Sequence, residues 1–221
     1  MKNALVIGAS GGIGSALTKA LAAEGHAVTG LSRSEHGLDI TDEDSIQAHF
    51  RNLSGPFHRI LITTGALQVD DHRPEKTLRQ LNREALTALF LVNAVGPALA
   101  IKHALPLLAK DEPAVLAALS ARVGSIGDNR AGGWYSYRAA KAALNMIIHG
   151  AAIELGRSRK QAICVALHPG TVASRLTKPY LGRHPSVTPE TAAKNLLAVI
   201  TGLSRNDSGG FFDWAGETIP W

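Results

Sequence analysis

Ala4-Leu5-Val6-Ile7-Gly8-Ala9-Ser10-Gly11-Gly12-Ile13-Gly14 follows the first three residues, and the reading of this stretch decides the fold. Four apolar residues running into glycines read as a buried parallel strand. From Gly12 to Glu24 apolar residues recur at 13, 16, 17, 20 and 21, a helical period, and Gly25 stands where a helix C-cap belongs. A turn of residues without Cβ lets the backbone come close to a pyrophosphate. The helix N-terminus then offers free N–H groups and partial positive charge to the anion. The spacing Gly8-x-x-x-Gly12-x-Gly14 is wider than Gly-x-Gly-x-x-Gly, so the loop makes a longer excursion. Chance alone produces this spacing roughly 0.2 times in a chain so rich in glycine, so its placement between strand and helix carries the weight.

Working outward, Ala27 to Leu31, Arg59 to Thr63, Ala114 to Leu119, Ala162 to Leu167 and a short run at Gly210 to Asp213 read as further strands. Helices are expected from Thr41-Asp42-Glu43-Asp44, which puts acids in a first turn, and over Leu86 to Leu108, Tyr135 to Leu155 and Glu190 to Gly202. Alternating strands and helices predict an α/β fold: a doubly wound parallel sheet with helices on both faces and right-handed crossovers. A chain of 221 residues fits a single domain over 1–221. Ligands of such sheets bind at the carboxyl ends of the strands, where strand order reverses, so the glycine loop marks the site.

Composition removes several classes. With 45% hydrophobic and 19% charged residues the chain can bury a core. The net charge of +5 is dispersed, with Arg157, Arg159 and Lys160 its one tight cluster, and aromatics are only 5%, so no nucleic-acid groove is expected. The N-terminal apolar run is too short for a signal peptide. No run is expected to approach the ~20 apolar residues of a membrane span, so a cytoplasmic protein with no membrane partner is the expectation. Cys164 is the one cysteine, which excludes an intramolecular disulfide; its apolar surroundings predict a buried, inert thiol.

The second strand ends at Leu31-Ser32-Arg33. A carboxylate here would hold the 2′-hydroxyl of NAD. None is present, whereas Arg33 offers a planar fork to the 2′-phosphate of NADP. A charged hydrogen bond of ~1.5–3 kcal/mol corresponds to very roughly 10- to 100-fold preference for NADP(H) over NAD(H). Asp39-Ile40 would lie near the adenine, although Asp39 also suits a turn preceding a helix. Tyr137 and Lys141, spaced i, i+4, share a helix face. A cation ~5 Å from a phenol, at an effective dielectric of ~20, favours phenolate by about 3 kcal/mol, which would tune Tyr137 as a general acid in carbonyl reduction. Tyr135 has no lysine four residues on and reads as packing.

The glycine loop, Tyr137-x-x-x-Lys141 and the chain order together resemble the short-chain dehydrogenase/reductase family over nearly the whole chain. The resemblance implies a Rossmann fold, an NADP(H) cofactor, no metal, and hydride transfer between nicotinamide and a carbonyl or alcohol. It implies that Gly8, Ser10, Gly12, Ile13 and Gly14 hold the cofactor with Ser32, Arg33, Asp39 and Ile40. Lys141 would bind the nicotinamide ribose, and Asn93, in Leu91-Val92-Asn93-Ala94-Val95-Gly96-Pro97, would help hold a water in a proton relay to Lys141. His168-Pro169-Gly170-Thr171-Val172 resembles the family's Pro-Gly segment beside the nicotinamide, and Ser174 falls where a threonine often contacts the carboxamide. The stretch from Ser125 to Arg138 and the ending Ile219-Pro220-Trp221 are similar to the bacterial C-factor branch, which is related to sniffer-type carbonyl reductases.

Two departures stand out. The family's Asn-Asn-Ala-Gly is Ile62-Thr63-Thr64-Gly65, where the resemblance would still allow backbone contacts of Thr64 and Gly65 to the cofactor but the first asparagine's side chain is lost. The catalytic serine position holds Ala121, and Ser120 and Ser125 are the nearest hydroxyls. Loss of one such donor typically costs about 10²–10³ in rate. Beside a reductase of small-molecule carbonyls, Ala121 therefore opens a second reading, a cofactor-binding sensor or partner-binding protein with little turnover. The helices at Leu86–Leu108 and Tyr135–Leu155 resemble those that pair in family dimers and tetramers, or they only cover the sheet. The loop from Leu176 to Pro189 is expected to cover the substrate, and Phe211, Phe212, Trp214 and Trp221 to wall a pocket or pack the core.

Overall fold

The structure is a computed structural model and describes residues 1–178 and 185–221. Among these residues six strands form one parallel sheet: β1 (Asn3–Ile7), β2 (Ala27–Leu31), β3 (Arg59–Ile62), β4 (Ala114–Leu119), β5 (Ala162–His168) and β6 (Phe211–Asp213). Their order is β2-β1-β3-β4-β5-β6. The chain steps outward from β1 to β2, then returns past β1 to β3, so order reverses between β1 and β3. The helices are α1 (Gly12–Ala23), α2 (Arg33–His36), α3 (Glu43–Arg51), α4 (Arg83–Phe90), α5 (Gly96–Ala104), α6 (Tyr135–Ser158) and α7 (Pro189–Gly202).

Strand alternation divides the core into two layers. Leu5, Ile7, Cys164 and Ala166 pack with Ile46, Ile101, Leu144 and Ile148 on one face. Ala4, Val6, Val165 and Leu167 pack with Leu17, Leu21, Leu196 and Ile200 on the other. Successive strand residues point to opposite faces, so strands covered on both sides must be apolar throughout, as β1 and β5 are. Cys164 is fully enclosed, and burial pushes its thiol up to about 12. Phe211 and Phe212 belong to the core, Trp221 stacks on Phe211 at 5.6 Å, and Trp214 is half-exposed over Gly170.

The expected helix over Leu86–Leu108 begins earlier, because Asn82 caps α4 by accepting from the Ala85 amide at 2.9 Å. It is also not one regular helix. A π-helical turn, Leu91–Val95, separates α4 from α5, and a 3₁₀ turn follows at Leu105–Leu107. The helical stretch Arg83–Leu107 is long and apolar enough to cross a membrane by length and composition, which corrects the expectation that no run comes near that length. Its apolarity has another cause here: Leu89, Ala94, Ala100, Ile101 and Ala104 are buried within the protein. A short helix, α2, appears directly after β2 where the sequence suggested none, ending on Gly37 in the left-handed region at φ 75°.

Candidate active site

The switch point is built by residues that follow β1 and β3. Gly8 has φ +92°, and a Cβ there would lie 2.7 Å from Thr63 Oγ1. Gly14 is more constrained, since a Cβ would come within 2.1 Å of the Gly8 carbonyl oxygen. Thr63 Oγ1 donates to the Ile7 and Gly8 carbonyls at 2.8 and 3.2 Å, so a threonine ties β3 to the glycine loop. Gly30 on β2 does similar work unseen in the sequence, because a Cβ there would sit 2.9 Å from Ala9 Cβ. Side chains accept at the starts of α3, α4 and α7, but α1 starts with neither a capping side chain nor an acid in its first turn. This open, positively polarised N-terminus beside a glycine cradle suits a dinucleotide phosphate.

Around β2 the expectations divide. Arg33 is exposed in the first turn of α2. Ser10 Oγ accepts from Ser34 Oγ at 2.9 Å, which fastens the glycine loop beside it. Ser32 is buried, with its hydroxyl 3.5 Å from Glu35 Oε2 and 3.3 Å from His36 Nδ1, so it is engaged inside α2 rather than presented to a cofactor. Asp39 is the turn residue. Its carboxylate accepts from Thr41 N and Oγ1 at 2.8 and 2.7 Å, and these bonds hold its pKa below the usual range. Ile40 is buried; its carbonyl lies so close to Gly96 that a Cβ there would approach within 2.3 Å. Ile40 therefore packs closely against the start of α5.

Past the carboxyl ends of β3, β4 and β5 opens a cavity of about 380 Å³. Its walls bring together Ile13, Thr64, Gly65, Ser120, Ala121, Tyr137, Lys141, Pro169, Gly170, Val172 and Ser174, as well as Trp134 and His168. That volume suits a small ligand or one end of a larger one. Tyr137 and Lys141 are 8% and 3% exposed, with the lysine Nζ 6.0 Å from the tyrosine ring centre. Lys141 Nζ donates to the Leu119 carbonyl at 2.9 Å, at the end of β4. Burial acts on both groups, raising Tyr137 and pulling Lys141 down to about 7. The expected lowering of Tyr137 is thus reversed in the protein alone: desolvation opposes both charged forms and outweighs the mutual attraction.

Asn93 lies outside the cavity lining and is fully buried in the π turn. Its Oδ1 accepts from Ala66 N at 3.1 Å, and its Nδ2 donates to the Ala66 and Leu89 carbonyls at 2.8 and 3.0 Å. The amide thus fastens the segment after β3 to the helix: both of its N–H donors are used, and Oδ1 keeps one lone pair for a further bond. Ser120 lines the cavity, but its hydroxyl donates to Asn145 Oδ1 at 2.5 Å. Ser125 is directed away, donating to the Pro220 carbonyl and accepting from Asp128 N. Ser174 Oγ pairs with Thr177 Oγ1 at 3.3 Å. The expected substrate loop, 176–189, lies partly outside the described residues; Leu176 and Thr177 line the cavity.

One positioning residue gave no sequence signal. Glu75, 5% exposed, accepts from Ser136 through both its Oγ and its backbone N–H, and its carbonyl accepts from Trp134 N. A distant carboxylate thereby caps α6 one residue before Tyr137, where the helix dipole favours it. Only the fold reveals a partner 61 residues away.

Comparison with known proteins accords with this geometry. Residues 8–199 match the family model described as Enoyl-(Acyl carrier protein) reductase. Over 237 aligned residues the chain is 32% identical to 1-hydroxy-2-glutathionyl-2-methyl-3-butene dehydrogenase of Rhodococcus sp. (strain AD45), covering 100% of both. It is 34% identical to the C-signal protein of Myxococcus xanthus over 60% of this chain and 76% of that one. An NADPH-bound carbonyl reductase from chicken fatty liver superposes with a TM-score of 0.82 at 24% identity, covering 100% of this chain and 94% of that one. Match, full-length relative and fold agree: the chain belongs to the short-chain dehydrogenase/reductase family of oxidoreductases.

Proposed function

We infer that the protein is an NADP(H)-dependent oxidoreductase acting on a carbonyl/alcohol pair of a small molecule. The observation that carries this reading is the buried Tyr137 and Lys141 in one cavity with Gly65 and Ile13, at the point where strand order reverses. When bound, the nicotinamide supplies or takes up the hydride. Tyr137, protonated at neutral pH because burial raises it, gives its phenolic proton to the carbonyl oxygen. Lys141 is poised near neutrality by burial, and the negative charge of a bound dinucleotide would favour its ammonium form. That charge then stabilises the phenolate left on Tyr137. The preference for NADP(H) rests on Arg33, exposed directly after β2. The names of the Rhodococcus and chicken proteins support alcohol and carbonyl chemistry.

The test is NADPH oxidation with a reactive dicarbonyl, 9,10-phenanthrenequinone, by wild type and Tyr137→Phe. Turnover that disappears in Tyr137→Phe while NADPH still binds supports the reading; wild-type silence sinks it. Arg33→Ala should weaken NADPH binding by about 10- to 100-fold and leave NADH binding unchanged. Equal losses for both cofactors would remove the NADP(H) preference. Ala121 favours the second reading, cofactor binding with little turnover, and Ala121→Ser separates the two: activity that appears only in this variant supports the second.

A further inference from the structure

A family member with alanine at the serine position needs another hydrogen-bond donor on the reacting oxygen, and the cavity wall can be searched for one. Ser120 is engaged with Asn145, Ser174 with Thr177, and Thr63 with the β1 carbonyls. Thr64 Oγ1 has no partner among the described residues but is itself a buried atom, although the residue lines the cavity. The Arg122 guanidinium is held by Asp128 at 2.6 Å and faces Asp213 at 3.8 Å. His168 differs from all of these. It ends β5, whose Leu167 carbonyl accepts from the Ser120 amide at 2.8 Å, so it stands in the strand next to Ser120 and Ala121. Strand alternation puts it on the face of Cys164 and Ala166, which α6 covers.

The ring is presented in an uneven way. Among the described residues Nδ1 is buried without a hydrogen-bond partner, and Nε2 has no partner there either but is not among the buried atoms. A buried unpaired N–H is rarer than an under-satisfied acceptor, which favours the neutral tautomer with its proton on Nε2, and the residue lines the cavity. Burial keeps the imidazole neutral, with its pKa lowered to about 4 despite Asp213 opposite it on β6.

We propose that His168 is a catalytic residue whose Nε2–H donates the hydrogen bond to the substrate carbonyl oxygen that a serine at position 121 would otherwise supply. The proposal rests on the reductase reading. In the step the carbonyl carbon gains a hydride from NADPH, which is oxidised to NADP⁺, as the C=O π bond breaks. The oxygen takes the Tyr137 proton, and His168 keeps its own. The donor acts on charge that develops as the hydride arrives, so it belongs to kcat more than to cofactor affinity.

The test measures 9,10-phenanthrenequinone reduction, NADPH affinity by fluorescence titration, and melting temperature. The proteins are wild type, His168→Leu, His168→Gln, Ala121→Ser and the double variant Ala121→Ser/His168→Leu. His168→Leu should lower kcat/KM by about 10²–10³, chiefly in kcat, with NADPH Kd within about threefold of wild type. His168→Gln, which keeps an N–H donor, should retain more activity. Ala121→Ser should restore at least about tenfold in the His168→Leu background and add little alone, because the two donors serve one oxygen. If His168→Leu does not fold, the comparison of His168→Phe, which also lacks a donor, with Ala121→Ser/His168→Phe decides: recovery in the double variant supports the proposal, and none overturns it. Activity in His168→Leu within about threefold of wild type, with Tyr137→Phe inactive, overturns the proposal and leaves the reductase reading standing. A comparable loss in Thr171→Val, with His168→Leu intact, overturns it in favour of that hydroxyl. Wild-type silence with NADPH bound defeats the reductase reading and this proposal together.

Discussion

Asn93→Ala should destabilise the protein and loosen the site at once, and the magnitude follows from its bonds. The side chain is fully buried and satisfies both the N–H and the carbonyl of Ala66, the residue after Gly65 at the cavity wall. Truncation removes both partners. An orphaned backbone group costs about 1–3 kcal/mol, and because Ala66 is half-buried, water recovers part of that, leaving about 3 kcal/mol for the pair. For a chain of this length each kcal/mol moves Tm by about 2–4 °C, so the expected fall is about 6–12 °C. Calorimetry against Asn52→Ala is the assay. Asn52 is exposed and bonds only within α3, to the Ala48 carbonyl, so its loss should shift Tm by at most about 2 °C. Reductase activity should also fall, since a displacement of about 1 Å in the segment 63–66 is enough to cost up to 10²-fold. An Asn93→Ala protein that melts with wild type yet loses activity would refute the argument. It would return Asn93 to a role in proton relay.

Three further outcomes follow from the same geometry. Gly14→Ala puts a Cβ 2.1 Å from the Gly8 carbonyl, so the loop must move; the rise in Tm on adding NADPH should vanish, and a preserved rise would show that the loop does not hold the cofactor. Lys141 is protonated below about 7, so NADPH affinity measured by fluorescence should weaken as pH rises through that value, a trend that Lys141→Met should abolish. His168 has a folded pKa of about 4 against 6.5 in the unfolded chain. The unfolded state then binds more protons between these values, so stability present above pH 6.5 is lost as pH falls towards 4, by about 3 kcal/mol. His168→Gln should flatten that part of a urea-denaturation pH profile, and an unchanged slope would assign the loss to other groups.

The fold was legible because its evidence is local. A strand buried on both faces must be apolar at every position, and β1 and β5 show it in four to six consecutive residues. Glycines at residues 8 and 14 were legible for the same reason, since a turn's steric demand falls within seven residues of sequence. What failed was long-range or conditional. The π turn at Leu91–Val95 leaves no periodic mark over five residues, yet it coincides with the full burial of Asn93 and the lock on Ala66. Glu75 capping α6 from 61 residues away has no sequence signature. The Tyr137–Lys141 pair was found by spacing, but the sign of its pKa shifts was not, because spacing reports proximity while desolvation reports enclosure.

Ala121 shows how a departure in one strand is to be weighed. In sequence, the nearest hydroxyls to a missing serine are Ser120 and Ser125, since adjacency along the chain is all a sequence offers. In the sheet, adjacency runs across strands, and the residue beside that strand end is His168, 47 positions along the chain and one hydrogen bond away through Leu167. Parallel strands end together at the carboxyl edge, so each contributes one or two side chains to the same cavity. A donor lost from β4 is therefore most simply replaced from β5. Ser120 cannot replace it without breaking its bond to Asn145, which leaves a buried amide oxygen without its donor. The replacement from β5 requires no such break, because His168 lines the cavity and its Nε2 has no hydrogen-bond partner among the described residues.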